Sequence, residues 1–307
     1  MDFEPTTEQR GVLDALTTLL ARHAGTARAR TGAGQGYDAD LDRALREAGF
    51  LSLFGAEGAG PLEAELVVEQ VARHLGSVTI GANALVGPAL GIEADRGPIA
   101  LVANPAVPIR YGAEAEIALV VQGDEAWYYT LQPDVVTVVE SPYGVPLARL
   151  APRDGHSLGP GSSGRMLAWW RVAIAAEAVG LMSGAFALTL THVRGRKQND
   201  RTIGSYQAVQ HRLAECEVLL DGSRWLARQA AWLGAPEEES AAAAALAVAT
   251  ALRLNREVHQ VTGAIGLTRE YDLHLWTQRL RLVTLELSGL LGQRRALAQA
   301  RWVHQDV

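Results

Sequence analysis

Apolar residues recur at helical spacing through most of the chain and give way to short, β-leaning runs only between about residues 97 and 150. Val12, Leu13, Leu16, Leu19 and Leu20 predict a helix over 6–24, with Thr6 or Thr7 and the nearby Glu8 and Gln9 able to cap its start. A Gly-, Ala- and Arg-rich loop follows over 25–36, then a second helix over 38–48 stopped by Gly49. The apolar run 50–54 and a glycine-rich turn over 55–60 lead into a third helix. It starts with Pro61 at its first position and runs to about Leu75, with Gly76 as its stop.

The middle stretch carries β-leaning runs at 99–103, 117–122, 126–131, 135–140 and 145–150, punctuated by Pro, Gly and Asp. They predict a small antiparallel sheet or partial barrel. After a Gly/Ser/Pro-rich linker over 152–164 the pattern is helical again: 166–193, 204–233, 237–262, 270–291 and a last short helix to about 303. Four long helices with short links predict an antiparallel bundle. The organisation expected is a helical segment over 1–95, a reduced β segment over 96–160 and a helical bundle over 161–307. Pro236 followed by Glu237, Glu238 and Glu239 suits a helix start, where carboxylates meet the positive end of the helix.

Composition narrows the function classes. At 307 residues, 48% apolar and 20% charged, the chain suits a soluble globular protein of one or two domains. A net charge of −6 gives no basic footprint for nucleic acid. Cys216 is the single cysteine and sits in an apolar-periodic helix, so it reads as a small buried hydrophobe. The start MDFEPTTEQR has no signal pattern, and no uncharged apolar stretch of about 18 residues is evident. A cytoplasmic protein without a membrane span is the expectation. The glycine-rich stretch near residue 32 lacks a preceding strand and does not read as a dinucleotide fingerprint.

Candidate chemistry concentrates at 196–210, RKQNDRTIGSYQAVQ, a basic polar link between two apolar helices. A guanidinium and two amides at the edge of a bundle could hold a phosphate-bearing ligand; a solvated inter-helix loop is the equal alternative. Arg196-Lys197-Gln198 and then Ile203-Gly204-Ser205-Tyr206-Gln207-Ala208-Val209-Gln210-His211-Arg212-Leu213-Ala214 resemble the R-x-Q-F-G and S-F-Q-x-V-Q-H-x-L-A signature of acyl-CoA dehydrogenases. Gln260 to Glu270, QVTGAIGLTRE, is similar to that family's Q-x-x-G-G-x-G-F-T-x-E. The resemblance covers 165–290 and extends more loosely to the first hundred residues, where 69–76 is similar to E-x-x-A-R-x-L-G. It implies a mainly α, acyl-CoA dehydrogenase-like fold: an N-terminal helical domain, a reduced middle β domain and a C-terminal antiparallel four-helix bundle.

The resemblance also implies FAD, lying between subunits. Carried over by position, Arg196, Gln198, Gln207, Gln260 and Gly263 would reach the pyrophosphate and ADP part of a flavin seated mainly on a neighbour. Asn199 and Asp200 replace the usual Phe-Gly, and Ala264 replaces the second glycine. Asp200 would put a negative charge near the pyrophosphate. The family's catalytic glutamate occupies one of two positions, which here hold Trp170 and Leu287. Glu286 is one residue off, about 100° around a helix. Glu177 reads as a polar residue facing a helix seam or a partner rather than as a base. No W-I-T-like flavin-contacting element is found, and Trp127-Tyr128-Tyr129 reads as core.

These absences together are similar to the shortened partner subunits of heteromeric acyl-CoA dehydrogenases of steroid degradation, a branch of lipid metabolism. That likeness implies a heterotetramer with a full-length paralogue that carries the glutamate, an acyl-CoA substrate, and an electron-transfer flavoprotein as acceptor. Two alternatives stay open: a self-sufficient homomer using Glu286 or Glu177, and a helical scaffold subunit that binds no flavin.

Overall fold

The computed structural model describes residues 5–31, 36–93 and 96–302. The 32–35 stretch and the expected helix end at 303 lie outside them. Helix α1 (Thr7–His23) starts at a full capping box: Thr6 accepts from the Gln9 backbone N–H at 3.2 Å, and the Gln9 side chain accepts from Thr6 N–H at 2.9 Å. A single helical turn, Thr26–Ala29, occupies part of the expected loop. Asp38 caps α2 (Ala39–Glu47), and Gly49 takes φ +78° beyond its end. Helix α3 (Pro61–Arg73) begins at its proline as expected, but its stop is different. Leu75, not Gly76, adopts the left-handed conformation at φ 61°. Leu75 N–H bonds the Ala72 carbonyl and Gly76 N–H the Val71 carbonyl, the paired bonds of a Schellman end. Leucine tolerates the position because its side chain is 3% exposed in the core. Gly76 is required for space instead, since a Cβ there would overlap Val71.

Seven short strands follow, and the arrangement departs from a simple antiparallel sheet. Strands β1 (Ile99–Val102), β3 (Ile117–Gln122), β4 (Glu125–Thr130) and β7 (His156–Ser157) form one sheet in the order β1-β3-β4-β7. Within it β1 pairs with β3 in parallel, Ile99 opposite Ile117. The connection between them passes through β2 (Ile109–Arg110), which belongs to a second, antiparallel sheet with β6 (Leu147–Leu150) and β5 (Val136–Val139). Two-residue strands such as β2 and β7 carry no periodicity to read. Alternation explains the unbroken apolar runs. Ile99, Leu101, Ile117 and Leu119 join the main core, while Ala100, Val102, Ala118 and Val120 pack with Ala148 and Leu150 of the other sheet.

The bundle is built around α4 (Ser162–Gly195), which packs against α3, α5 (Gln207–Trp232), α6 (Glu237–Thr262) and α7 (Leu273–Val283). Although no 18 consecutive residues of it are free of charge, α4 contains an 18-residue window long and apolar enough to cross a membrane. However, 89% of that window is buried inside the fold. Glycines let it be approached closely: a Cβ at Gly180 would overlap the Glu69 carbonyl, and one at Gly184 the Trp276 indole. Trp276 Nε1 in turn donates to the Arg73 carbonyl at 2.9 Å.

The expected single helix over 270–291 is broken. Helix α7 ends at Val283, and a tight turn leads to α8 (Gly289–Trp302). Leu287 (φ 49°, ψ 44°), Ser288 (φ 67°) and Gly289 (φ 62°) all lie in left-handed or positive-φ backbone. Only Gly289 announces this locally. The turn presses the Leu287 carbonyl onto α8 so closely that Gly292 has no room for a Cβ.

Candidate functional site

Two sites stand out, and they share no lining residue. The first is a surface cleft where α4 hands over to α5. Strands β8 (Lys197–Gln198) and β9 (Arg201–Thr202) pair with Gln198 opposite Arg201, leaving Asn199 and Asp200 as a two-residue loop. Both have positive φ, 51° and 62°, which Asn and Asp accept more readily than bulky residues and which suits a tight hairpin. Asn199 and Asp200 are thus compatible with the turn. The Arg201 guanidinium sits 4.1 Å over the Tyr206 ring, and Tyr206 Oη donates to the Gln198 carbonyl at 3.1 Å. The cleft, about 420 Å³, is lined by Gln198, Asn199, Tyr206, Arg212 and Gln260 among others. Asp200 does not line it.

Of the residues singled out from sequence, Gln198 and Gln260 therefore meet across this cleft, from the hairpin and from the last turn of α6. Arg196, Gln207 and Gly263 lie just outside its lining, and all five are solvent-exposed. Arg196 and Lys197 have no ion-pair partner among the described residues, so two cations stand uncompensated at this edge. Gly263 adopts φ 64°, ψ −146°, a conformation costly for any other residue, although nothing lies within 4 Å of where a Cβ would be. Arg212 was not singled out from sequence. It joins the cleft from α5 and is held by Glu257 at 2.8 Å. A donor set of guanidinium, ammonium and amides with an accessible glycine backbone fits a pyrophosphate.

The second site is a cavity of about 400 Å³ between α4, strand β2 and the α7–α8 turn. Trp170, Glu177, Glu286 and Leu287 all line it. So does Arg110, whose side chain none of the motifs pointed to, because its partners are 67 and 176 residues away. Arg110 Nη1 donates to Glu177 Oε2 at 2.8 Å and its Nε to Glu286 Oε1 at 2.5 Å. Trp170 Nε1 donates to Glu286 Oε2 at 2.6 Å. One expectation is corrected here. The 100° argument against Glu286 fails because residues 286–288 are not α-helical, and the turn aims Glu286 inward. Glu177 faces a partner, Arg110, and also lines the cavity.

Burial opposes charge on Arg110, but the charges of Glu177 and Glu286 outweigh it and hold the guanidinium above its usual range. For Glu177 burial dominates: it pushes the carboxyl up, Arg110 pulls it back, and Glu286 pushes it up again. Arg279 lies behind the cavity, 7% exposed, and donates to the carbonyls of Leu75 and Gly76 at the end of α3. Burial lowers its affinity for the proton and nearby Arg110 adds to that, while Tyr111 opposes.

Comparison with known proteins agrees with this geometry. Residues 159–286 match the acyl-CoA dehydrogenase C-terminal domain, and that span contains α4, both motifs and Trp170, and ends one residue before Leu287. That stretch, and not the whole chain, is what the family model covers. It is 29% identical to acyl-CoA dehydrogenase IpdE2 of Mycobacterium tuberculosis, covering 90% of this chain and 91% of the relative. The acyl-CoA dehydrogenase fold runs the whole length. A chain of the ChsE4-ChsE5 complex from Mycobacterium tuberculosis superposes with a TM-score of 0.82 at 21% identity, covering 97% of this chain and 98% of that one. A chain of the Tcur3481-Tcur3483 steroid ACAD gives a TM-score of 0.79 at 20% identity, covering 95% and 97%. Within the family frame, the two base positions, Trp170 and Leu287, fall on one cavity although 117 residues separate them.

Proposed function

We propose that this chain is the shortened subunit of a heteromeric, FAD-dependent acyl-CoA dehydrogenase, completing the flavin site of a full-length partner that carries the catalytic glutamate. The observation that carries this is the state of the cavity. Trp170 and Leu287 stand where the family places its base, and the carboxylates that do enter are bound by Arg110. Pairing with a guanidinium favours the ionised form of a carboxylate and so makes it a poorer proton acceptor. The exposed edge of Arg196, Gln198, Gln207, Gln260 and Gly263 is then available to a neighbour's cofactor rather than folded around one of its own. When bound, FAD supplies the hydride acceptor for α,β-desaturation of an acyl-CoA thioester. This chain's residues would grip its pyrophosphate. The likeness to the two complexes named above, one of them a steroid ACAD, supports a partner subunit and a steroid acyl group.

Co-expression with a full-length acyl-CoA dehydrogenase that carries the glutamate is the test. A yellow complex that reduces an acceptor with acyl-CoA, together with a colourless chain on its own, is the expected result. A yellow, active homo-oligomer of this chain would sink the proposal. One observation favours the self-sufficient reading: both Glu177 and Glu286 reach the same cavity. In such a homomer, Glu286→Gln or Glu177→Gln would abolish turnover; activity kept in both excludes them as bases.

A further inference from the structure

The cavity beneath β2 leaves two polar valences open. Arg110 spends Nε on Glu286 and Nη1 on Glu177, and no described hydrogen bond uses Nη2. Glu177 accepts through Oε2, and no described hydrogen bond reaches Oε1. That oxygen lies over Gly81, where a Cβ would come within 2.7 Å of it. Glu286 has both oxygens occupied, by Arg110 and by Trp170. One wall of the cavity therefore presents a free donor and a free acceptor on adjacent, ion-paired side chains. Much of the remaining surface is apolar, including Ile99, Leu101, Leu147 and Leu282. A volume of about 400 Å³ lies within the range of small-molecule sites, roughly 300–1,000 Å³.

We propose that this cavity binds a neutral, hydroxyl-bearing apolar molecule, whose hydroxyl accepts from Arg110 Nη2 and donates to Glu177 Oε1. The pairing selects by charge as well as by shape. A carboxylate could accept from Nη2 but would set its own lone pairs against Oε1, close to a second carboxylate. An ammonium could donate to Oε1 but would face a buried guanidinium. Arg279, the other cation nearby, is engaged by the Leu75 and Gly76 carbonyls and does not line the cavity. A hydroxyl meets neither conflict and satisfies both valences at once. The proposal is independent of the flavin reading, because cleft and cavity have no residue in common. Failure of either leaves the other standing.

The Trp170 indole N–H, bonded to Glu286 on the cavity wall, is a built-in reporter. In the ¹⁵N-labelled full-length chain its cross-peak is assigned by its loss in Trp170→Phe. Titration with 1-adamantanol should shift that peak saturably, while adamantane-1-carboxylate and 1-adamantylamine should bind at least about tenfold more weakly, the value of one mismatched polar contact. In Glu177→Gln the preference for alcohol over carboxylate should shrink at least about fivefold, since an amide can donate to the incoming anion. Ala173→Phe, which fills the cavity from α4, should abolish the shift while the other indole peaks stay in place. Should that variant not fold, Leu147→Trp on β6 blocks the same space from the opposite side. The proposal is overturned by no saturable shift with the alcohol, or by equal binding of the carboxylate. It is overturned equally by an unchanged preference in Glu177→Gln, or by undiminished binding in a folded blocking variant.

Discussion

Trp170 Nε1 lies 2.6 Å from Glu286 Oε2, so an indole at one of the positions that the resemblance assigns to the base is hydrogen-bonded to a carboxylate beside the other. The bond ties α4 to the α7–α8 turn. It also fills the oxygen of Glu286 that Arg110 leaves open. Trp170→Phe keeps most of the ring and removes the donor. The expected loss is about 1–3 kcal/mol, the cost of leaving a charged acceptor partly buried without its partner. Urea denaturation at neutral pH measures it, and a midpoint equal to that of the unaltered chain would show that the bond carries no stability.

Arg110→Met should be the more damaging change. It leaves Glu177 and Glu286 facing each other with no cation between them, and breaking a buried ion pair from one side costs about 3–5 kcal/mol. The pH dependence has a definite sign. Burial already holds the Glu177 carboxyl above its unfolded value, and Arg110 is what restrains it. Without Arg110 it rises further, so the folded state binds more protons than the unfolded one across a wider window. Stability of the variant is therefore recovered as pH falls through the folded pKa of Glu177 and lost as pH rises through it. Thermal midpoints of the two proteins that run parallel from pH 5 to pH 8 would contradict this account.

A second buried carboxylate predicts a separate effect. Glu65 on α3 is fully buried, and neither side-chain oxygen has a hydrogen-bond partner among the described residues. Burial and the neighbouring Glu69 push its pKa up to about 8, against the pull of Arg228 and Arg224 on α5. Glu69 takes the good bonds, 3.1 Å from Arg224 and 2.9 Å from Arg228, while Glu65 stands 4.0 Å from Arg228. Since the folded pKa is the higher, stability falls as pH rises from the unfolded value toward about 8, by up to about 1.4 kcal/mol per pH unit. Glu65→Gln should flatten this slope and raise the urea midpoint above pH 8. A slope unaltered by the substitution would assign the pH dependence elsewhere.

The turn between α7 and α8 makes opposite predictions for neighbouring glycine changes. Ser288 is exposed at φ 67°, so Ser288→Gly relieves left-handed strain and should stabilise by roughly 1 kcal/mol. Gly292→Ala forces a Cβ onto the Leu287 carbonyl and should cost about 1–3 kcal/mol. Because Glu286 is aimed by this turn, Gly292→Ala should also move the Trp170 indole resonance, which Ser288→Gly should not. Calorimetry and one ¹⁵N spectrum of each variant decide the matter.

Where local chemistry sets an element, the sequence was readable. Thr6 with Gln9, Asp38, Pro61, and Pro236 before three glutamates each mark a helix start because the cap or first turn is made by residues beside it. Two of the motif residues, Gln198 and Gln260, line one cleft from elements that the pattern had already placed. What escaped was decided by distant contacts. Leu75 takes the left-handed position that Gly76 advertised, because the core holds its side chain. Strand β1 pairs in parallel with β3 because its two faces serve two different cores. The break before Gly289 hides in an apolar run of good helix formers. Arg110 is a lone cation in a two-residue strand, and only folding brings it between two glutamates from the bundle.

The edge around Arg196 gives the last prediction, which rests on the flavin reading. Arg196 and Lys197 are exposed and without acidic partners among the described residues, so removing either should leave the fold of this chain unchanged. In the co-purified complex, however, Arg196→Ala should lower the flavin-to-protein ratio measured by absorbance, and Arg196→Lys should restore it only in part. A guanidinium can bridge two phosphate oxygens in one plane, whereas an ammonium acts as a point charge. Because this edge is open to solvent, flavin retention should also weaken with salt, most steeply where the Debye length drops from about 10 Å at 0.1 M to about 3 Å at 1 M. Gly263→Ala tests the backbone side of the same grip. Nothing crowds a Cβ there, so its cost would be confined to a conformation, φ 64° and ψ −146°, that alanine resists. The alanine should relax the α6 terminus, turn its N–H groups from the pyrophosphate and lower flavin content without lowering the melting temperature of the isolated chain. Full flavin in both variants would leave a scaffold role for this chain and remove the cofactor from its edge.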